Sequence, residues 1–139
     1  MASGTEIRLQ DVSIFSELSK RELKSVSKLM TEVTVKDGKV LTEQGSLGRE
    51  FMVIIDGTAE VDIDGSIVAR LGPGDFLGEL AVISGAPRTA TVRTTSPMVI
   101  ETLNRREFMA LLDQSPALSK KILVGAVKRL QANEGTKTN

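Results

Sequence analysis

Hydrophobic positions recur at helical spacing near the start of the chain. The apolar residues concerned are Leu18, Val26, Leu29 and Met30. Glu22 lies three residues after Ser19, which is the arrangement of a capping box at a helix start. We therefore predict a helix over residues 20–30, preceded by a turn at Phe15 that packs on it.

From residue 33 to residue 103 the pattern changes to short runs rich in β-branched residues. The runs predicted as strands are 33–35, 39–42, 51–55, 59–64, 66–71, 89–94 and 98–103. Turn signals such as Asp37-Gly38 and Asp64-Gly65 separate them at intervals of several residues. This spacing is typical of an antiparallel barrel or sandwich, and not of strands that alternate with long helices.

Helical spacing returns after Leu103, and we predict two helices within residues 105–130. One face of the second helix carries apolar side chains, namely Leu118, Ile122, Ala126 and Leu130, and Leu123 and Val127 widen this face. We favour the interpretation that the face packs on the strands. A seam between two copies, or a lid over a pocket, is the functional alternative.

Composition limits the chemistry that the chain can perform. Of its 139 residues 40% are hydrophobic and 26% charged, which indicates one globular domain, expected over residues 11–131, with flexible ends at 1–10 and 132–139. The 18 basic and 18 acidic residues cancel, so no general field attracts nucleic acid or a membrane. Cysteine and histidine are both absent, which excludes disulfides, thiolate nucleophiles and the commonest metal ligands.

The longest apolar runs, such as 51–55, are too short to cross a bilayer, and residues 1–10 contain no apolar signal segment. We therefore expect a cytoplasmic protein with no membrane contact, no metal and no conventional cofactor.

The stretch GELAVISGAPRTATV, residues 78–92, carries the candidate chemistry. Gly78 and Gly85 bound ELAVIS, which predicts one or two helical turns whose first N–H groups are free to meet an anion. Pro87 fixes the direction of Arg88, and an arginine can bind two phosphate oxygens. Glu79 would repel that anion unless the ligand also offers a hydroxyl to the carboxylate, as a nucleotide does. Taken alone, Glu79 is more often a first-turn acid and Arg88 a solvated strand residue.

The same stretch resembles the phosphate-binding cassette of cyclic nucleotide-binding domains, Gly-Glu-Leu/Ile-Ala followed by a short helix and Pro-Arg-Thr/Ala-Ala. IFSELSKREL at 14–23 is similar to the opening helical motif of that family. LTEQGSLGREFMVIIDGTAEV at 41–61 is similar to its Gly-rich strand–turn–strand segment. The resemblance extends from about residue 12 to residue 130. It implies a mainly β fold, an antiparallel eight-stranded β-roll of the jelly-roll type with flanking N-terminal and C-terminal helices.

The resemblance also implies roles for individual residues. Glu79 would accept a hydrogen bond from the ribose 2′-hydroxyl, and Arg88 would pair with the cyclic phosphate. Backbone contacts would come from Gly78, Leu80 and Ala81. Thr89 would lie near the phosphate or the base, and Ala90 would keep the strand close. A threonine after the arginine is associated in this family with tolerance of cGMP, so this residue is compatible with either base. We favour cAMP only because it is the more frequent ligand in the family.

The family closes its pocket with a C-terminal helix, which makes residues 117–130 the candidate lid. The residues that could cover the base are Val127, Arg129 and Leu130. The implied function is a regulatory sensor that repositions this helix when a cyclic nucleotide binds. The helix is also the candidate surface for a protein effector or for self-association.

Other classes of function fit the sequence less well. A cupin-like enzyme would need metal-binding histidines, and the carboxylates at Glu60, Asp62 and Asp64 are interpreted as one solvated strand face, so we expect no catalysis. No basic recognition helix follows Leu130, so we expect no DNA binding by this chain. The chain could be the sensor part of a larger transcription regulator, channel or enzyme, or a degenerate β-roll that binds protein and no longer binds nucleotide.

Overall fold

The computed structural model describes residues 15–138 except residue 17, and only the main chain of residues 80, 129, 130 and 132–138. The predicted flexible segment 1–10 lies outside the described residues. The elements in chain order are α1 (Lys20–Leu29), β1 (Thr31–Val35), β2 (Val40–Thr42), β3 (Glu50–Asp56), β4 (Ala59–Ile63), β5 (Ser66–Leu71), β6 (Phe76–Leu77), α2 (Glu79–Ser84), β7 (Thr91–Thr94), β8 (Met98–Asn104), α3 (Arg105–Gln114) and α4 (Pro116–Thr138). The predicted mainly β class with flanking helices is confirmed.

The strands form two four-stranded sheets, in the orders β1-β8-β3-β6 and β2-β7-β4-β5. Every neighbouring pair is antiparallel, as predicted. The β-region runs from 31 to 104, slightly longer than the predicted 33–103, and β7 begins at Thr91, so that the predicted start at Thr89 is wrong. The sequence pattern missed β6, because two residues are too few to show strand alternation.

Strand β3 is buried on both faces, and its side chains alternate between two clusters. Phe51 and Val53 pack with the helices, whereas Met52 and Ile54 pack between the sheets. Neighbouring side chains of a strand point to opposite faces, so four consecutive apolar residues can fill both clusters. Strand β3 therefore joins the helical layer to the interior of the β-structure.

Helix α1 begins with the predicted capping box. The Glu22 amide donates to Ser19 Oγ (3.1 Å), and the Ser19 amide donates to Glu22 Oε1 (3.0 Å). The helix ends at Leu29 rather than at the predicted Met30, because Met30 already has extended backbone angles. Phe15 is fully buried in the cluster beneath the helices, as expected.

Helix α4 differs from the prediction in its length and in the width of its packed face. It continues to Thr138 instead of ending at Leu130, and no proline interrupts residues 131–138. The main chain of residues 132–138 belongs to this helix, and the flexibility expected of 132–139 stays a prediction.

Leu118, Ile122 and Ala126 are buried, as expected of a face that packs on the strands. Leu123 and Val127 are 59% and 45% exposed, so the expectation that they widen the packed face is wrong. Each follows a buried residue by one position and is rotated about 100° away from it. No described helix is both long enough and apolar enough to span a membrane.

Candidate functional site

The predicted short helix α2 is present between two glycines in the left-handed backbone region. Gly78, with φ of 91°, precedes it, and Gly85, with φ of 71°, follows it and donates its N–H to the Ala81 carbonyl (2.8 Å). A Cβ on Gly78 would also overlap the Glu50 carbonyl oxygen and lie 2.6 Å from Arg88 Nη1. Residue 78 must therefore be a glycine for both its backbone angles and its close contacts.

The main chain of Arg88 is held by the loop that joins β2 to β3. The Arg88 N–H donates to the Ser46 carbonyl (2.7 Å), and the Gly45 N–H donates to the Arg88 carbonyl (2.9 Å). Leu47 and Pro87 form an isolated antiparallel bridge beside them. Both polar groups of the Arg88 backbone are thus bound to one loop, which fixes the point from which the side chain starts.

The Arg88 side chain is 8% exposed and runs back towards the start of β3. Its Nη2 donates to the Glu50 carbonyl oxygen (2.9 Å). Its Nη1 is buried and has no hydrogen-bond partner among the residues that the structure describes. A buried donor without a partner is rare in proteins, and such a donor is expected where a ligand completes the site.

Two carboxylates act on this guanidinium. Burial lowers the pKa of Arg88 from its ordinary value, while the negative charges of Glu50 and, more weakly, Glu79 act in the opposite direction. Glu79 has no exposed surface, whereas Glu50 is exposed. The site therefore combines a buried cation that has a spare donor with a buried acid that can accept hydrogen bonds.

A cavity of about 520 Å³ lies beside Arg88. Its walls are Val40, Leu41, Thr42, Glu43, Ser46, Leu47, Gly48, Arg49, Glu50, Met52 and Arg88. This volume lies in the usual range of small-ligand pockets. No group of three acidic residues that could hold a metal ion occurs in the described part of the chain.

The structure brings together only part of the predicted set. Arg88 lines the cavity, and Glu79 lies near enough to act on the pKa of Arg88, but Glu79 is not among the lining residues. Ala81 is buried, Thr89 is exposed, and the Ala90 carbonyl accepts a hydrogen bond from Thr42 Oγ1 (3.1 Å).

Of the predicted lid residues, only Val127 has a described side chain. Val127 is exposed and does not line the cavity. The side chains of Leu80, Arg129 and Leu130 lie outside the described residues.

Sequence reasoning assigned no role to Gly48 or Glu50, although both belong to the Gly-rich segment that it singled out. Gly48 is preceded by Leu47 and not by an asparagine, aspartate or proline of a typical glycine turn. It lies two residues before the buried strand β3. A glycine has no side chain, so another group can approach its backbone closely.

Comparison with known proteins shows the family of this chain. The sequence pattern of the cyclic nucleotide-binding domain matches residues 32–115, which include α2 and both sheets apart from the first residue of β1. The chain belongs to the cyclic nucleotide-binding domain family. The implied eight-stranded β-roll is confirmed by the two sheets and by related structures.

One relative is a cAMP-dependent protein kinase regulatory subunit of Schizosaccharomyces pombe, 34% identical over 108 residues that make up 77% of this chain and 26% of the relative. Among solved structures, cAMP-bound PfPKA-R is 26% identical with a TM-score of 0.84, over 96% of this chain and 46% of that one. PKAR CBD2 with Sp-2Cl-cAMPS bound has the same identity and TM-score, over 96% of this chain and 88% of that one. The chain spans about a quarter (23–28%) of the length of the curated relatives.

Proposed function

We propose that this chain binds cAMP in the cavity beside Arg88 and acts as a regulatory sensor, with residues 11–131 as the binding unit. The observation that carries the proposal is the buried, unpartnered Nη1 of Arg88 next to the fully buried Glu79. Membership of the family and the cAMP-bound relatives support the same ligand.

Arg88 would bind the cyclic phosphate through its spare Nη1 donor. A cyclic phosphodiester carries one negative charge, whereas a linear nucleotide monophosphate carries nearly two at neutral pH. Arg88 supplies one positive charge on which Glu50 and Glu79 already act, so a second negative charge on the phosphate is not compensated. The site should therefore prefer the cyclic form to 5′-AMP.

Glu79 would accept a hydrogen bond from the ribose 2′-hydroxyl. A carboxylate has only acceptors, and a buried one is favoured when neighbouring groups donate to it. Gly78, Leu80 and Ala81 would contribute main-chain contacts, as the family pattern implies.

Two features bear on the choice of base. The names of the relatives refer to cAMP, which supports cAMP as the ligand here. Thr89 follows the arginine and is exposed, which keeps cGMP as the second candidate ligand.

We also propose that nucleotide binding repositions α4. A ligand shifts a conformational equilibrium only by its difference in affinity for the two states, so α4 must contact the nucleotide or its surroundings in one of them. Val127, Arg129 and Leu130 remain the candidates for that contact, and a protein effector or a second copy of the chain would respond to the movement.

Catalysis is not part of the proposal. The sequence contains no histidine to serve as a general base or metal ligand. The related kinase regulatory subunits are named as regulators, which supports a sensor.

Calorimetric titration of the nucleotide-free protein with cAMP, cGMP and 5′-AMP tests the proposal. We expect one cAMP per chain, weaker binding of cGMP, and binding of 5′-AMP weaker by at least about tenfold, equivalent to 1.4 kcal/mol. A folded protein that gives no heat with either cyclic nucleotide would overturn the proposal and favour a protein-interaction module. A hydrolysis product in the calorimeter cell would overturn the exclusion of catalysis.

A further inference from the structure

Gly48 differs from most of the other glycines in the loops of this protein. Its backbone is not in the left-handed region, so an alanine could adopt its φ angle. A Cβ at this position would nevertheless overlap three side-chain atoms of Arg88, namely Nε, Cζ and Cδ. Gly48 is therefore needed for space and not for backbone conformation.

The Arg88 side chain lies in a slot made by main-chain atoms. Gly48 lies against its middle part, Gly78 lies close to Nη1, and the Glu50 carbonyl accepts a hydrogen bond from Nη2. These contacts hold the guanidinium from several directions, while Nη1 keeps an unused donor.

We propose that Gly48 is a positioning residue for the phosphate site, and that its missing side chain allows Arg88 to present Nη1 to the ligand. This inference rests on the proposed function. Gly48 acts only through Arg88, so its effect must disappear when the long side chain of Arg88 is removed.

An alanine at residue 48 would push the guanidinium out of the slot. The hydrogen bond from Nη2 to the Glu50 carbonyl would break, and Nη1 would no longer point in the same direction. Hydrogen bonds weaken steeply with misalignment, and charge-assisted bonds to phosphate are among the strongest in proteins. We expect Gly48→Ala to weaken cAMP binding by about tenfold to a hundredfold, the range for one charge-assisted hydrogen bond.

The slot itself is tested without nucleotide, by thermal unfolding of four variants. Gly72→Ala is the matched control, because Gly72 also lies outside the left-handed region and a Cβ there would meet nothing within 4 Å. Gly48→Ala should lower the unfolding temperature more than Gly72→Ala does. In an Arg88→Ala background the two alanine substitutions should have equal effects, because the overlapping atoms are gone.

The binding role is tested by titrating the same variants with cAMP. Gly48→Ala should weaken binding, Gly72→Ala should not, and Gly48→Ala should add less than about threefold in the Arg88→Ala background. A Gly48→Ala protein too unstable to titrate would still support the slot if Arg88→Ala restored its unfolding temperature.

The outcomes separate this inference from the proposed function. If the unsubstituted chain binds no cyclic nucleotide, the proposed function fails, while the unfolding measurements still decide whether the slot exists. If the unsubstituted chain binds cAMP and Gly48→Ala matches Gly72→Ala in both measurements, the role of Gly48 is overturned. A loss of affinity that persists in full in the Arg88→Ala background would also overturn it.

Discussion

Replacement of Arg88 by lysine is the sharpest single test of the phosphate contact. In the structure Nη2 already donates to the Glu50 carbonyl (2.9 Å), and Nη1 is a buried donor without a partner among the described residues. A lysine keeps the positive charge but offers one ammonium group at the end of a flexible chain. That group can bind either the Glu50 carbonyl or the phosphate in good geometry, but it cannot reproduce the two separate directions of the guanidinium.

The expected loss follows from the hydrogen bond that lysine cannot replace. A hydrogen bond to a charged group contributes about 1.5–3 kcal/mol, which corresponds to about a 10- to 150-fold weakening of cAMP binding. The overall charge of the site is unchanged, so the loss reports geometry and not a change in long-range attraction.

Isothermal titration with cAMP measures this loss, and Arg93→Lys is the matched control. Arg93 is exposed and donates to the Gly38 carbonyl (3.2 Å) on another part of the surface. Its replacement should leave the affinity unchanged. An Arg88→Lys protein that binds cAMP within about threefold of the unsubstituted chain would refute the assignment of Arg88 to the phosphate.

Three further predictions concern ribose recognition and stability. In the unsubstituted chain we expect cAMP to bind more tightly than 2′-deoxy-cAMP by about 1.5–3 kcal/mol, and Glu79→Gln should remove most of this preference. An unchanged preference in calorimetry would contradict the ribose contact. Gly125→Ala should lower the free energy of unfolding by about 1 kcal/mol, because a Cβ there would lie 2.5 Å from Phe76 Cζ. This overlap outweighs the gain in helix propensity. Increased stability in urea unfolding would contradict this packing. Thr94→Val should destabilise by about 1–3 kcal/mol, because the buried hydroxyl donates to one main-chain group (2.7 Å) and accepts from another (2.8 Å) in the turn between β1 and β2. Thr95→Val, at the exposed neighbouring residue, is the control. Equal losses in the free energy of unfolding from the two substitutions would argue against the role of the Thr94 hydroxyl.

Those parts of the fold that repeat a local pattern could be predicted from the sequence. The capping box of α1 involves residues three positions apart, so its chemistry is visible in the sequence. The antiparallel arrangement follows from short runs separated by glycine turns. Strand β6 could not be predicted, because it owes its strand conformation to pairing with β3 across a long stretch of chain, Met52 opposite Leu77.

In the candidate site, too, local features could be predicted from the sequence and contacts between distant residues could not. Glu79 and Arg88 were singled out because their residue types and spacing carry chemistry that is local to one segment. The contacts of Arg88 with the loop before β3 join residues about forty positions apart, and nothing in the spacing of Gly48 or Glu50 predicts which side chain lies over them. The exposed flank of α4 at Leu123 and Val127 was mispredicted for a related reason, since hydrophobicity alone does not say how far a packed face extends around a helix.

A crystal structure of the chain with cAMP would test the central claim most directly. The account predicts that an exocyclic phosphate oxygen lies about 2.7–2.9 Å from Arg88 Nη1, and that the ribose 2′-hydroxyl lies within hydrogen-bonding distance of the Glu79 carboxylate. The nucleotide bound elsewhere, or bound in the cavity with Nη1 still unpartnered, would contradict it.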